Sequence, residues 1–223
     1  MSFPFKLATI AALATGCTAV HAQSWFALEA QVGGLKYGGL ENGRWYQDGQ
    51  PHSLSLNAPA IEAGITGPIL DQGSWGLDYH LGGFYLGRAE SQCTCNPNDS
   101  DYAKHRHSVP DADFVGSGEV YGAKATLEPW LHVGNGLRVG AILGATYSHV
   151  GWTETVYGWS ANDNDRPHTI YSNNSGWVPG AVIGASVSSG HLSLVYEHFF
   201  FAHPGDKQAL FRSADVIGLR YKF

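Results

Sequence analysis

Three sets of side chains in this 223-residue sequence could do chemistry, and each needs a different scaffold. The first is Ser213, His198 and Asp215. If His203-Pro204-Gly205-Asp206 closes a tight connection, His198 falls roughly opposite Ser213, with Asp215 two residues along. A histidine can deprotonate a serine hydroxyl, and a carboxylate can orient the histidine, which makes an acyl-transfer triad. The plainer alternative is polar residues at a sheet end, where they cost little. The second set is Cys93-Thr94-Cys95 followed by His105-Arg106-His107. Cys93, Cys95, His105 and His107 could supply four tetrahedral ligands for zinc or soft donors for copper. The competing reading is a disulfide formed in an oxidising compartment, within one molecule or between two. The third set is Glu29, Glu62, Asp78, His80, Lys124, Glu128, Arg138, Glu197, Arg220 and Lys222. These residues carry both signs and share one phase of a period-two pattern.

That pattern comes from the elements that must position them. From Gln23 onward, apolar and polar residues alternate in segments separated by turn formers. Such alternation marks strands with one apolar and one polar face. In the first segment Phe26, Leu28, Ala30 and Val32 oppose Glu29, Gln31 and Gly33. The second, about Ser53 to Thr66, sets Ile61, Ala63 and Ile65 against Glu62, Gly64 and Thr66, with a bulge expected at Pro59. Trp75 to Arg88 sets Trp75, Leu77, Tyr79 and Leu81 against Asp78, His80 and Gly82. The remaining segments run from about Phe114 to Leu131, Leu137 to about Val156, Gly176 to Ser188, His191 to Ala202 and Phe211 to Phe223. Their connections alternate in length. Residues 67–73, 132–136 and 188–190 make short turns, while about 39–52, 91–112, 160–174 and 203–209 make longer polar loops.

Composition agrees with a sheet whose outer face meets lipid. Charged residues make up only 14%, against roughly 25% in an average soluble domain. The net charge of -6 forms no basic stripe, so no nucleic-acid partner is expected. Residues 1–22 read as a signal peptide: Lys6, the apolar run Leu7 to Ala14, and Val20-His21-Ala22 before a cleavage at Gln23. Ala14 stands where a lipoprotein signal before Cys17 would carry Leu, which argues against lipidation. No other stretch approaches the roughly 18 apolar residues of a helical span. Crossing a bilayer would therefore require a closed barrel, since only helices and barrels satisfy the backbone there. The expected fold is all-β: an eight-stranded antiparallel up-and-down transmembrane β-barrel over 23–223.

The ending Gly218-Leu219-Arg220-Tyr221-Lys222-Phe223 is similar to the C-terminal assembly signal of outer-membrane barrels. In size and rhythm the mature chain resembles the small eight-stranded OmpA/OmpX-like class. The resemblance implies insertion by the barrel-assembly machinery, contact with outer-membrane lipid and lipopolysaccharide, and periplasmic termini. It also implies extracellular loops open to a surface ligand, a host or a phage. Lipid A deacylases of the PagL type are small barrels with a lipid-facing Ser/His site. This chain departs from their His-x-Ser pattern, because Phe199 and Phe200 follow His198.

In a barrel of about eight strands side chains just fill the lumen. The inward charged set is then either an ionic core that blocks flow or the gate of a narrow pore. The loops carry Trp45-Tyr46-Gln47-Asp48 and Trp159-Ser160-Ala161-Asn162-Asp163-Asn164-Asp165. Aromatic and short polar residues of this kind suit recognition surfaces. Trp152, Trp159 and Trp177 could equally anchor at a membrane interface. Asp163 and Asp165 lack the rest of a calcium loop, and no phosphate-binding or Rossmann glycine motif occurs. No cofactor is expected. The leading expectation is a non-enzymatic outer-membrane barrel presenting loops for adhesion or surface interaction. A lipid-modifying acyl hydrolase and a small gated pore are the alternatives.

Overall fold

The computed structural model describes residues 25–38, 53–55, 57–95, 112–134, 136–157, 168–171, 176–202 and 212–223. The segments among them are β1 (Ala27–Gly38), β2 (Ser53–Ser55), β3 (Asn57–Asp71), β4 (Trp75–Cys95), β5 (Ala112–His132), β6 (Leu137–Tyr157), β7 (His168–Tyr171), β8 (Gly176–Ser189), β9 (Leu192–Phe201) and β10 (Ser213–Lys222). Two are continuations of longer strands: β2 runs into β3 and pairs β4, while β7 precedes β8 and pairs β6. The ring therefore has eight staves, each antiparallel to its neighbours. It closes because β1 pairs both β3 and β10.

The stagger of the ring follows from its register. Trp177 pairs His149, then Tyr121, Tyr85, Ile61, Val32, Leu219 and Leu194. Leu194 pairs Val187, so one circuit returns to β8 ten residues from its start. A closed sheet with that stagger has strands tilted by about 35–45°.

Alternation decides what faces where. Outward positions carry Leu28, Val32, Ile61, Leu81, Leu127, Val139, Leu143, Ile183, Leu194 and Ile217, each at least 40% exposed. Apolar residues so exposed around a whole ring form a belt far larger than the patches soluble proteins tolerate. Aromatics flank the belt: Trp25, Trp75, Tyr221 and Phe223 toward the short turns, and Tyr85, Tyr121, Tyr147 and Trp177 toward the other end. An apolar band between aromatic girdles is the outer surface of a transmembrane barrel.

Inward positions divide into two layers. Toward the short turns they are polar and charged. Toward the opposite end Leu35, Tyr37, Phe84, Leu86, Val120, Val150, Trp152, Val182, Phe199 and Val216 form a buried apolar cluster. The sequence reading placed charge through the lumen; half of the filling is a dry plug of aromatic and aliphatic side chains.

Several expected boundaries shift. The bulge expected at Pro59 lies on the neighbouring strand. Pro59 pairs Gly34 of β1 without a slip, and the register with β5 breaks in β4 between Tyr85 and Arg88. Gly87 sits there with φ +58°, and a Cβ on it would come within 2.5 Å of the Pro59 carbonyl oxygen. Only glycine takes that conformation and approach without strain. The Tyr37 hydroxyl reaches from inside to the Leu86 and Gly87 carbonyls, at 2.5 and 3.1 Å. A smaller irregularity falls between Pro68 and Leu70. β3 runs through residues 67–71, which were expected in a turn, and leaves 72–74 as the connection. β4 extends to Cys95 and β5 begins at Ala112, so both ends of the expected loop at 91–112 are paired strand. β7 occupies 168–171, inside the expected loop at 160–174.

Candidate functional site

Strand parity alone gathers most of the expected ionic residues in the polar half of the lumen. Lys124 on β5 sits between two carboxylates. It makes a close ion pair with Glu62 of β3, and its Nζ lies 2.5 Å from Oε1 of Glu197 on β9. Gln31 of β1 donates from Nε2 to Glu62 Oε1 at 3.2 Å and to Glu197 Oε2 at 3.0 Å. Arg220 of β10 donates from Nη1 to Glu128 Oε2 at 2.8 Å and from Nε to Gln31 Oε1 at 3.1 Å. Its Nη2 lies 3.5 Å from Glu197. His80 stands between two acids, with Nδ1 2.8 Å from Glu29 and Nε2 3.1 Å from Glu128. Ser186 donates to Glu128 at 2.6 Å. Removing one partner from such a buried network leaves an uncompensated charge, which costs far more than an exposed pair gains.

Two of the ten expected residues form a separate group near the short turns. Asp78 accepts from Trp130 Nε1 at 3.1 Å and lies 3.9 Å from Arg138, whose guanidinium sits 4.7 Å from the Trp130 ring centre. Lys222 stands at the rim, opposite Glu29 in register, and among the described residues no ion pair joins it to the network. Gln31 and Trp130 were missing from the expected site. Gln31 shares the inward parity of Glu29, so the signal was present; Trp130 shares the parity of Glu128 but reads as an apolar residue.

The network is capped. The Lys124 ammonium lies 5.7 Å from the Phe199 ring centre, and Phe199 packs against Phe84 at 5.1 Å. Glu29, Gln31, Glu62, Lys124 and Arg220 border a residual cavity of only about 10 Å³. That is at most one water molecule. The arrangement packs charged and polar side chains closely around that small space.

On the outer wall, the structure brings together two members of the expected triad. Asp215, not Ser213, lies opposite His198, and Ser213 lies opposite Phe200. His198 Nδ1 is 2.7 Å from Asp215 Oδ1, which also accepts from the Tyr196 hydroxyl at 2.7 Å. Phe200 packs edge-on to the imidazole, with ring centres 4.3 Å apart. Among the described residues no hydrogen bond joins Ser213 to His198. The pair is an oriented imidazole without a serine nucleophile in contact. The register expected from a tight 203–206 connection was two residues off, because β9 ends at Phe201 and β10 begins at Ser213.

Cys93 and Cys95 lie in β4, opposite Phe114 and Ala112, not in a loop. Residues two apart in an extended strand have Cα atoms about 6.6–6.8 Å apart. That is the upper end of the span a disulfide bridges, so the strand conformation disfavours a Cys93–Cys95 bond. His105 and His107 lie outside the described residues. Among the described residues no group of three His, Cys, Asp or Glu side chains is placed to hold a metal.

No protein-family model matches the chain, and no curated protein matches it. Among solved structures it is similar to Ail, the attachment invasion locus protein of Yersinia pestis. The match to Ail in complex with the heparin analogue sucrose octasulfate has 10% identity and a TM-score of 0.40, covering 89% of this chain and 97% of that one. A second structure of Ail matches with 12% identity and a TM-score of 0.35 over the same shares.

Proposed function

We propose that this chain is an outer-membrane protein whose work is done by the segments it raises above the lipid, as a surface-binding or adhesive barrel. The observation that carries this reading is strand length. A tilted strand needs about 9–11 residues to cross a bilayer. β4, β5 and β6 have 21 residues each. About half of each strand therefore stands beyond the apolar belt, always on the side away from the short turns. Paired strands of that length make a stiff wall above the apolar belt. A filled lumen fits the same role, since it gives rigidity and leaves the interior without a transport task. Residues 1–22 act in this reading as the export signal, and the short turns and both ends of the barrel face the periplasm.

The test replaces residues 96–111 with a short Gly-Asn turn and compares binding of expressing cells to host cells and to extracellular-matrix glycans. The expected result is unchanged outer-membrane insertion, read by heat-shifted gel migration, with binding reduced at least tenfold. Full binding by the shortened protein would reject the assignment of binding to that wall.

A further inference from the structure

The outer wall has a feature that neither loop presentation nor the ionic lumen uses. On β3 to β8 the belt is interrupted by a groove of about 670 Å³. Its floor is made of small residues, Ala63, Gly83 and Ala123, which are paired neighbours across β3, β4 and β5. Its walls are aromatic: Tyr85, Tyr121, Tyr147 and Trp177. The rings support one another, with Tyr147 stacked on Trp177 at 5.3 Å and Tyr121 edge-on to Trp177 at 5.8 Å.

A second cavity of about 340 Å³ adjoins the first at Tyr121, one step toward the outer strand ends. It is polar, bordered by Arg88, Ser117, Glu119, His149 and Thr153. Two of its groups have unused hydrogen-bonding capacity. Arg88 makes a long, exposed ion pair with Glu119 at 3.8 Å, beyond hydrogen-bond distance, and Glu119 accepts its hydrogen bond from the Tyr85 hydroxyl at 3.1 Å. Among the described residues the Arg88 guanidinium therefore has no hydrogen-bond acceptor. His149 stacks on Tyr121 at 4.8 Å, and its Nδ1 is enclosed without a hydrogen-bond partner among the described residues. Arg88 is mostly exposed, so its donors stay open to solvent or a ligand, whereas the enclosed His149 nitrogen carries the cost of a buried polar atom left unpaired.

We propose that these two cavities form one binding site for a phosphorylated glycolipid of the outer leaflet. The order of chemistry along the wall matches such an amphiphile. The apolar groove lies within the belt and takes an acyl chain against the alanine and glycine floor. The polar cavity lies at headgroup height, where Arg88 offers a planar fork of donors for a phosphate. The His149 nitrogen there meets a sugar hydroxyl, and the tyrosine and tryptophan faces suit a sugar ring. This inference rests on the outer-membrane reading for its ligand, but not on the loops.

The test is native mass spectrometry of the purified, folded full barrel in detergent, titrated with bisphosphorylated lipid A. Dephosphorylated lipid A and phosphatidylglycerol serve as comparison probes. Gly83→Leu fills the floor, and the backbone accepts it, since a Cβ there would meet only the Gly122 carbonyl oxygen at 3.6 Å. Arg88→Gln removes the phosphate fork, and Lys36→Gln on β1, outside the lining of both cavities, is the control. One lipid A is expected per wild-type barrel, with affinity at least tenfold weaker for Gly83→Leu, for Arg88→Gln and for the dephosphorylated probe. Lys36→Gln should bind as wild type. Equal binding by all variants, or phosphatidylglycerol binding as well as lipid A, would overturn the site. Heat-shifted migration verifies that each variant is folded, and fractionation of expressing cells tests the outer-membrane reading separately.

Discussion

At the scale of single residues, the account turns on Lys124. It is the cation for Glu62 and for Glu197, which is fully buried. Lys124→Met keeps the stem volume and removes the charge, leaving both acids without their ammonium. Breaking one side of a buried pair costs about 3–5 kcal/mol. Urea unfolding of the barrel in lipid vesicles should show a loss of that order, and Lys124→Met/Glu197→Gln should recover part of it. An unchanged unfolding midpoint for Lys124→Met would remove the network from the account of stability. Which residues enter this network was largely readable from parity, because a period of two assigns every residue of a strand to one face. Glu29, Glu62, His80, Lys124, Glu128, Glu197 and Arg220 meet as that phase requires. Parity gives a face but neither a height nor a partner, so it could not separate Asp78 and Arg138 into their own group. It also could not place Lys222 at the rim.

At the scale of elements, the strand interiors were legible and their outer ends were not. Inside the belt one face meets lipid and the other the lumen, so the two faces demand opposite residues. Beyond the belt that contrast disappears. Ser91-Gln92-Cys93-Thr94-Cys95 shows no alternation, yet its backbone pairs with β5 from Gly116 down to Ala112. The bulge was misplaced for a related reason. Proline signals a lost donor, but the extra residue was taken up by the flexible Gly87 on the strand alongside. Gly87→Ala should therefore destabilise the barrel by about 1–2 kcal/mol, the cost of a left-handed residue with a side chain, and more if the contact with Pro59 does not relax. Gly83→Ala, four residues earlier, where a Cβ would make only an ordinary contact with the Gly122 carbonyl oxygen, should stay within about 0.5 kcal/mol, as surface changes usually do. Parallel vesicle-unfolding curves check both, and equal effects at the two glycines would argue against the bulge.

At the scale of the whole molecule, the eight-stave ring with its ten-residue stagger encloses an ionic layer and an apolar plug. The plug was hidden in the sequence because Tyr37, Phe84, Leu86 and Phe199 are apolar residues at inward parity. They read as noise in a polar face until the strands are set side by side. In the proposed reading the working surfaces are the extended wall above the belt and the groove in its flank. Both assignments depend on one orientation, with the long strand ends of β4 to β6 facing outward and the short turns inside. The most direct test is single-cysteine labelling of intact cells in a background carrying Cys93→Ser and Cys95→Ser. Asn162→Cys should react with a membrane-impermeant maleimide on whole cells, whereas Ser74→Cys, in the short turn at 72–74, should react only after the outer membrane is opened. Labelling of Ser74→Cys on intact cells with Asn162→Cys protected would invert the molecule and contradict the account.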